Sequence, residues 1–340
     1  MPQMTTPASI SYFKNEDLDH LQTLMLMPSP SSTATTKPIQ YQDSSAWRHL
    51  PDWQQCDPQR IDALVQQTLH LPTGGWYAVD ALNALGKKPK SYTIAGHELV
   101  VWRAQGKIHA APAACPHMGA DLATGHVVDG QLRCPWHGLC LSEKGMGRWQ
   151  PWPTYEDGVL FWVCLNPDAM SPQPYMAVRP QHFVHSVMRM DANCAPEDVI
   201  ANRFDPWHAA HYHPHSFAAQ TRVLEITDTS ILVHVAYKVM PGYNPEVEAV
   251  FHAADARTIV MTITQGEGRD SIVSTHATPI NEAKTTIVEA TLATSDRPGF
   301  RHVLRLQPLL SPLLHWRARK LWQEDAIYAE RRYALRTKRR

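Results

Sequence analysis

The sequence predicts an α+β protein with two folded parts: a small all-β domain, then a larger domain whose antiparallel sheet is flanked by helices. Three observations predict it. Short alternating segments separated by turn signals run from about residue 76 to residue 165. Longer segments rich in Val, Ile and Thr, at 222–239, 247–264, 271–278 and 285–293, predict at least four antiparallel strands. Helical stretches before and after them begin at Pro196 and at Ser311-Pro312.

Composition divides the 340 residues into five segments. Residues 1–45 are rich in Ser, Thr, Pro and Gln, which predicts a disordered arm. Residues 46–74 are a helical lead-in, with Asp57-Pro58 as the N-cap and first turn of a helix that runs to Leu69. Residues 75–170 form the all-β domain, in which 128–131 is a hairpin turn. Residues 171–180 are a linker, and 181–340 form the second domain.

Charge and cysteine usage exclude several classes of protein. Lys and Arg number 32, as do Asp and Glu, so nothing points to a nucleic-acid partner. The six cysteines form no disulfide framework, which is typical of a reducing compartment. We find no apolar run of membrane-spanning length. The first residues lack a basic region followed by a continuous apolar core, so we expect no signal peptide. We therefore expect a cytoplasmic protein, with peripheral contact to a membrane through its substrate as the alternative.

Two short loops form the first candidate metal site. Cys115-Pro-His117 and Cys134-Pro-Trp-His137 each offer one thiolate and one imidazole, with sixteen residues between His117 and Cys134. Structural zinc sites usually pair Cys with Cys and His with His. A [2Fe–2S] centre with two cysteines on one iron and two histidines on the other suits mixed loops, each giving its Cys to one iron and its His to the other. The pattern favours the cluster over zinc.

A histidine cluster forms the second candidate site. His208, His211, His213 and His215 follow Asp205 within ten residues. Non-haem Fe(II) sites use two His and one carboxylate. On a regular helix, His208 and His211 lie about 60° apart, and His208 and His213 about 140° apart. Helix geometry alone therefore favours His211, whereas a helix that ends early would bring His213 round to the same side.

The third ligand of such a site is expected to be a distant carboxylate, and the final helix offers Glu324 and Asp325. Asp325 continues an otherwise largely apolar stripe with a 3.6-residue period. A carboxylate buried there is costly unless it binds a metal or a charged partner. Glu324 falls on the side of three basic residues, which predicts ordinary helix salt bridges. We therefore favour Asp325 as the ligand; a buried Asp paired with an Arg is the alternative.

Together these motifs resemble the terminal (alpha) components of Rieske non-haem iron oxygenases, in the single-subunit monooxygenase-like branch. The resemblance covers about residues 75–340 and implies a helix-grip-like second domain. It implies a Rieske cluster on the two loops. The family's Asp-x2-His-x4-His run matches at Asp205, His208 and His213. The resemblance thus implies a mononuclear Fe(II) held by His208, His213 and Asp325, with His211 and then His215 as the alternatives to His213.

The resemblance also implies roles for neighbouring residues. Asp205 would pass electrons between the iron and a Rieske His of an adjacent subunit in a homotrimer, and Asn202 lies where some members have an Asn near the iron. High-potential Rieske proteins carry a disulfide clamp and a hydroxyl near the cluster. Ala120 and Leu139 occupy those positions here. We therefore predict a potential at the low end of the Rieske range, about −150 mV.

The implied function is a Rieske-type oxygenase. It would use O₂, with electrons from a separate ferredoxin or NAD(P)H-dependent reductase, to hydroxylate or otherwise oxidise an apolar small molecule. An isoprenoid, carotenoid or polycyclic compound is the favoured substrate. An aromatic hydroxylase or O-demethylase is the alternative within the class. The alternative from another class is a Rieske electron-transfer protein with a non-catalytic ligand-binding domain.

Overall fold

The computed structural model describes residues 50–338 except 167, 169–170, 214–217 and 239–244. The predicted arm over 1–45 and the candidate ligand His215 lie outside these residues. The α+β class is confirmed. The helices are α1 (Asp52–Gln55), α2 (Pro58–Leu69), α3 (Pro196–Arg203), α4 (Ala209–Tyr212), α5 (Phe300–Arg305) and α6 (Gln307–Thr337). Short 3₁₀ turns cover Leu82–Ala84, Leu122–Thr124 and Pro206–His208.

The first part of the chain is built from nine strands in three small antiparallel sheets, with strand orders β1-β9-β8, β2-β3-β4 and β5-β6-β7. The predicted hairpin turn at 128–131 is confirmed, since it joins β5 to β6 with Asp129 and Gly130 both at positive φ. The strands are β1 (Trp76–Ala81), β2 (Lys90–Ile94), β3 (His97–Ala104), β4 (Lys107–Pro112), β5 (His126–Val128), β6 (Gln131–Arg133), β7 (Cys140–Leu141), β8 (Thr154–Glu156) and β9 (Leu160–Cys164).

The second part is a seven-stranded antiparallel sheet with the order β10-β16-β15-β14-β13-β12-β11. The segments 222–239 and 247–264, each predicted as one strand, in fact each contain a turn between two strands. Neither turn, at 227–229 or at 256–257, contains Gly or Pro, so composition did not mark it. The strands are β10 (Val184–Ala192), β11 (Ala218–Ile226), β12 (Ser230–Tyr237), β13 (Glu246–Asp255), β14 (Thr258–Gly266), β15 (Ile272–Asn281) and β16 (Lys284–Ala293).

Helix α6 lies against this sheet: Trp322 Nε1 donates to the buried carboxylate of Glu289 on β16 at 2.7 Å. The predicted start at Ser311-Pro312 is wrong. The helix begins at Gln307, with Pro308 in its first turn and Pro312 inside it. A proline suits the first turn of a helix, because the N–H that it lacks would have no partner there. Both prolines follow residues that can begin a helix, so the sequence pattern fits a start at either one. The predicted helix from Pro196 through the histidines is broken, since α3 ends at Arg203.

Candidate metal centres

The four donor groups of the first site lie together at the ends of two loops. The imidazole rings of His117 and His137 are 4.9 Å apart between centroids and meet edge to face. Cys115 and Cys134 are buried, and both are free thiols. Two buried sulfurs beside two imidazoles that reach the surface are the donor set that a Rieske [2Fe–2S] cluster needs.

Both loops have the same backbone geometry, which explains how two short sequences present their donors alike. The Cys115 N–H donates to Ala120 O at 2.9 Å, and the Gly119 N–H donates to Cys115 O at 2.8 Å. The loop 134–139 repeats the two hydrogen bonds at 2.8 and 3.1 Å. The glycine that closes each loop has a positive φ, which residues with a side chain rarely adopt. In each loop the cysteine Sγ accepts hydrogen bonds from the N–H groups two and three residues later.

The second site brings three of the predicted residues together. His208 Nε2 lies 2.9 Å from Asp325 Oδ1, and His213 Nε2 lies 3.0 Å from the same oxygen. The donor atoms of the three residues all lie within 4.8 Å of one another. Asp325 and His213 are buried and His208 is nearly so. Two imidazoles and one carboxylate converging on one point form a site that fits a divalent metal ion such as Fe(II).

The end of helix α4 decides between the candidate histidines. The helix stops at Tyr212, and His213 has extended backbone angles, φ −100° and ψ 97°. Because His213 lies outside the helix, the helical repeat does not set the direction of its ring, and the ring turns toward His208. His211 remains in the helix and points outward: its side chain is 68% exposed, with Nε2 2.7 Å from Asp52 Oδ2. The structure thus places His213, and not His211, beside Asp325.

Each inward histidine is held by a second partner on its other ring nitrogen. His213 Nδ1 lies 2.7 Å from Glu324 Oε2, and His208 Nδ1 contacts the backbone carbonyl oxygen of Asp205. Both oxygens can accept a proton carried on Nδ1, so in the neutral imidazole that binds a metal the lone pair lies on Nε2. Metal-binding histidines are commonly oriented in this way.

Asn202 and Glu324 complete the surroundings of Asp325. The Asn202 side-chain amide donates to Asp325 Oδ1 at 2.9 Å, from helix α3. The prediction that Glu324 makes ordinary helix salt bridges is wrong, since its carboxylate faces His213. Helical spacing placed Glu324 near basic residues of its own helix, but the neighbouring α4 segment approaches that side of α6. The partner of Glu324 is thus a histidine from another part of the chain, which only the tertiary fold brings close.

Charge pairing dominates the electrostatics of this site. Burial alone would lower the pKa of His208, but the carboxylates of Asp205 and Asp325 outweigh it and raise the pKa to about 9. Burial opposes the ionised form of Asp325, yet the two histidines hold the pKa of that carboxyl well below its usual range. The carboxylates thus favour a proton on His208 in the absence of metal, and a bound cation would displace it.

Asp205 is bound by groups from three parts of the chain. Its carboxylate accepts a hydrogen bond from the His208 backbone N–H at 3.3 Å, and the Cys56 thiol and the Tyr328 hydroxyl lie beside it. The Tyr328 ring stacks on that of His208, with 5.4 Å between centroids. Sequence reasoning missed Cys56 and its neighbour Gln55. Nothing in the composition of the lead-in indicated that it covers the site.

Comparison with known proteins identifies both parts of the chain. The Rieske [2Fe-2S] domain matches residues 75–157. A family described as "Domain of unknown function (DUF5914)" matches residues 166–340, just over half of the 340 residues. The chain is a Rieske protein of the DUF5914 family. The predicted domain bounds stay a prediction, since these matches are not measurements of where each folded unit ends.

Curated relatives of this DUF5914 protein are named as oxygenases. It is 28% identical to aminopyrrolnitrin oxygenase PrnD of Pseudomonas fluorescens, over 41% of this chain and 45% of that one. It is 32% identical to the oxygenase component of 3-ketosteroid-9-alpha-monooxygenase of Rhodococcus rhodochrous, over 31% and 32%. It is 26% identical to the oxygenase component of dicamba O-demethylase of Stenotrophomonas maltophilia, over 51% and 57%. The chain thus spans about half or less of the length of most of these relatives.

Solved structures agree on the fold. A crystal structure of dicamba monooxygenase bound to dicamba superposes with a TM-score of 0.59 at 20% identity, over 78% of this chain and 88% of that one. The complex with 3,6-dichlorosalicylic acid gives 0.60 over the same shares. The predicted resemblance to Rieske oxygenase components is confirmed in sequence and in fold.

Proposed function

We propose that this protein is the oxygenase component of a Rieske non-haem iron system. One observation carries the proposal: His208 and His213 both aim Nε2 at Asp325 Oδ1, at 2.9 and 3.0 Å. An electron-transfer protein has no need of this triad. The named activities of the relatives support the same class of reaction.

In this proposal Cys115, His117, Cys134 and His137 hold the [2Fe–2S] cluster, and His208, His213 and Asp325 hold a mononuclear Fe(II). When bound, the cluster supplies single electrons and the mononuclear iron supplies the position at which O₂ is activated.

The surrounding residues of the chain keep this iron site in order. Glu324 and the Asp205 carbonyl hold a proton on Nδ1 of His213 and of His208, so that each Nε2 stays available as a ligand. Asn202 fixes the orientation of the Asp325 carboxylate.

Asp205 is proposed as the electron bridge to a Rieske histidine of an adjacent subunit in a homotrimer. Its carboxylate accepts a hydrogen bond from the His208 backbone N–H, and the Cys56 thiol and the Tyr328 hydroxyl lie beside it. Asp205→Asn should lower turnover while leaving reduction of the cluster intact. Unchanged turnover in that variant would show that Asp205 is not the electron bridge. The homotrimer is tested separately, by light scattering of the purified protein.

The electrons would come from a separate ferredoxin or NAD(P)H-dependent reductase, and the substrate would be an apolar small molecule. An isoprenoid, carotenoid or polycyclic compound is our first choice, since relatives are named as a ketosteroid monooxygenase and as cholesterol 7-desaturases. O-demethylation is the second candidate, favoured by the relative named as a dicamba O-demethylase component and by the shared fold. Coupled O₂ uptake and product formation with each substrate class would separate them.

The decisive experiment counts iron and acid-labile sulfide in protein purified without oxygen and reconstituted with Fe(II). We expect about three irons and two sulfides per chain, and about two irons in Asp325→Ala. Glu330→Ala, a carboxylate on the same helix that bonds Asn193 instead, is the matched control and should keep three. Two irons in the unsubstituted protein would leave the electron-transfer alternative.

A further inference from the structure

One side of helix α6 exposes large apolar side chains to solvent. Leu309 is 75% exposed, Trp316 57% and Leu313 54%, and Leu306 just before the helix is 48% exposed. Residues three and four apart are neighbours on a helix surface, so these four form one continuous row. We refer to Leu306, Leu309, Leu313 and Trp316 as the apolar stripe.

Basic residues accompany the apolar stripe on both edges. Residues 297–323 contain six Arg and Lys and no Asp or Glu, although the whole chain has a net charge of zero. At 100° per residue along α6, Arg319 falls about 80° to one side of Leu309 and Arg317 about 80° to the other. Arg305, the last residue of α5, is exposed directly before Leu306. Lys320 Nζ lies 5.5 Å from the centre of the Trp316 ring. The positive charge of the segment is thus concentrated around its exposed apolar row.

We propose that the apolar stripe and its basic edges bind the surface of an anionic lipid membrane. The helix would lie in the plane of the surface, with the leucines and Trp316 below the headgroups and the basic side chains at the lipid phosphates. Basic amphipathic helices with Trp and Leu on one face bind membranes in this way. Among the described residues no helix is long and apolar enough to cross a membrane.

Charge disfavours a two-fold dimer formed through the apolar stripe. Two copies joined face to face about a two-fold axis would set the arginines of one against those of the other, and like charges across an interface are costly. An anionic lipid surface neutralises the same arginines. It also buries the leucines, each of which favours leaving water.

The position of the stripe links the membrane surface to the second metal site. Leu313 and Asp325 belong to the same helix, and twelve residues correspond to about 18 Å. An apolar compound dissolved in the membrane would therefore lie one short helix segment away from the histidines. The membrane proposal does not rest on the proposed function, because lipid binding is measured without turnover.

The test uses the full-length protein with its cluster in place. Its co-sedimentation is measured with vesicles of phosphatidylcholine and with vesicles in which about one-third is phosphatidylglycerol. We expect binding to the anionic vesicles, weaker binding at high salt because the phosphates are screened, and little binding to phosphatidylcholine alone.

Two variants separate the apolar and the basic contributions. The double variant Leu309→Gln/Trp316→Gln should weaken binding about tenfold or more, since it removes two inserted side chains. Arg305→Glu/Arg319→Glu should abolish the preference for anionic vesicles. Val178→Gln and Lys107→Glu are matched controls at exposed positions outside α6, and both should bind as the unsubstituted protein does. Circular dichroism and the visible absorption of the cluster show that each variant is folded.

Three results would overturn the proposal. The folded protein fails to bind anionic vesicles, or the α6 variants bind as well as the controls do. Alternatively, the protein forms an oligomer in the absence of lipid that Leu309→Gln/Trp316→Gln dissociates, which would assign the stripe to a second copy of the chain.

Discussion

Asn202 donates its side-chain amide to Asp325 Oδ1 at 2.9 Å, the oxygen that both inward histidines also face. The two residues lie 123 positions apart in the chain, on helices α3 and α6. Among the described residues, the carbonyl oxygen of the Asn202 amide has no hydrogen-bond partner, although it is buried. The NH₂ group of Asn202 thus binds the Asp325 carboxylate, and the carbonyl oxygen of the same side chain is a buried acceptor within the site.

Replacement of Asn202 by Ala should weaken iron binding. Without the amide, the Asp325 carboxylate is free to rotate, and loss of such a partner typically costs tenfold to a hundredfold in metal affinity, so we expect about tenfold or more. Fe(II) titration of the apo site measures it. Asn193→Ala, which removes an exposed amide bonded to Glu330, is the control. Equal affinities in the two variants would contradict the role of Asn202.

The two histidines of helix α4 and its end should behave differently. His213→Ala should lose the mononuclear iron and keep the cluster, because the variant lacks a ligand that faces Asp325. His211→Ala should keep both, because that ring is exposed and pairs with Asp52. Iron and sulfide are counted in each variant. Loss of iron in His211→Ala alone would instead assign His211 as the ligand, as regular helix geometry predicts.

Gln55 ties the lead-in to the second metal site. Its side-chain oxygen accepts from Trp207 Nε1 at 3.2 Å and from the Val223 N–H at 2.9 Å. Gln55→Leu leaves two buried donors unsatisfied, which should lower the free energy of unfolding by about 2–4 kcal/mol. Urea denaturation measures the change. Gln54→Leu, at an exposed neighbouring position, should have little effect, and a similar loss in both variants would count against this network.

Stability should depend on pH through His276. Burial lowers the pKa of His276 to about 4, whereas an unfolded histidine titrates near pH 6.5. Between these values the unfolded chain binds more protons, so the free energy of unfolding falls as the pH falls, by up to about 3 kcal/mol from this residue.

Urea denaturation of His276→Gln at pH 7 and at pH 4.5 should therefore show a smaller difference than the unsubstituted protein does. His302→Gln, at an exposed position, is the control and should keep the full difference. An equal pH dependence in all three proteins would exclude His276 as its source.

The cluster should have a low reduction potential. Ala120 stands where a clamp cysteine would be, and the exposed Cys140 is a free thiol. We expect about −150 mV in a redox titration followed by visible absorption. Leu139→Ser places a hydroxyl beside the second loop and should raise the potential, whereas Cys140→Ser should not. A strongly positive value in the unsubstituted protein would refute the prediction.

Local patterns in the chain were enough to predict much of this protein. Each mixed Cys/His loop is a short local segment that closes through its own backbone hydrogen bonds, so the spacing within the two loops was enough to indicate the cluster. Alternating Val, Ile and Thr predicted the antiparallel sheet. The prediction of at least four strands is confirmed, since the sheet has seven. Two of the additional strands follow turns that lack Gly and Pro, and β10 lies outside the predicted segments.

The second site depended on contacts that no local pattern contains. Sequence periodicity favoured His211 and left Glu324 with basic neighbours, because a regular helix was the only geometry available to it. In the structure α4 ends at Tyr212, and His213 turns toward Asp325 and Glu324, more than a hundred residues further along the chain. The residue types for two metal sites can be read from the sequence. Which of these residues meet depends on the fold, because packing sets where a helix ends and how distant segments approach one another.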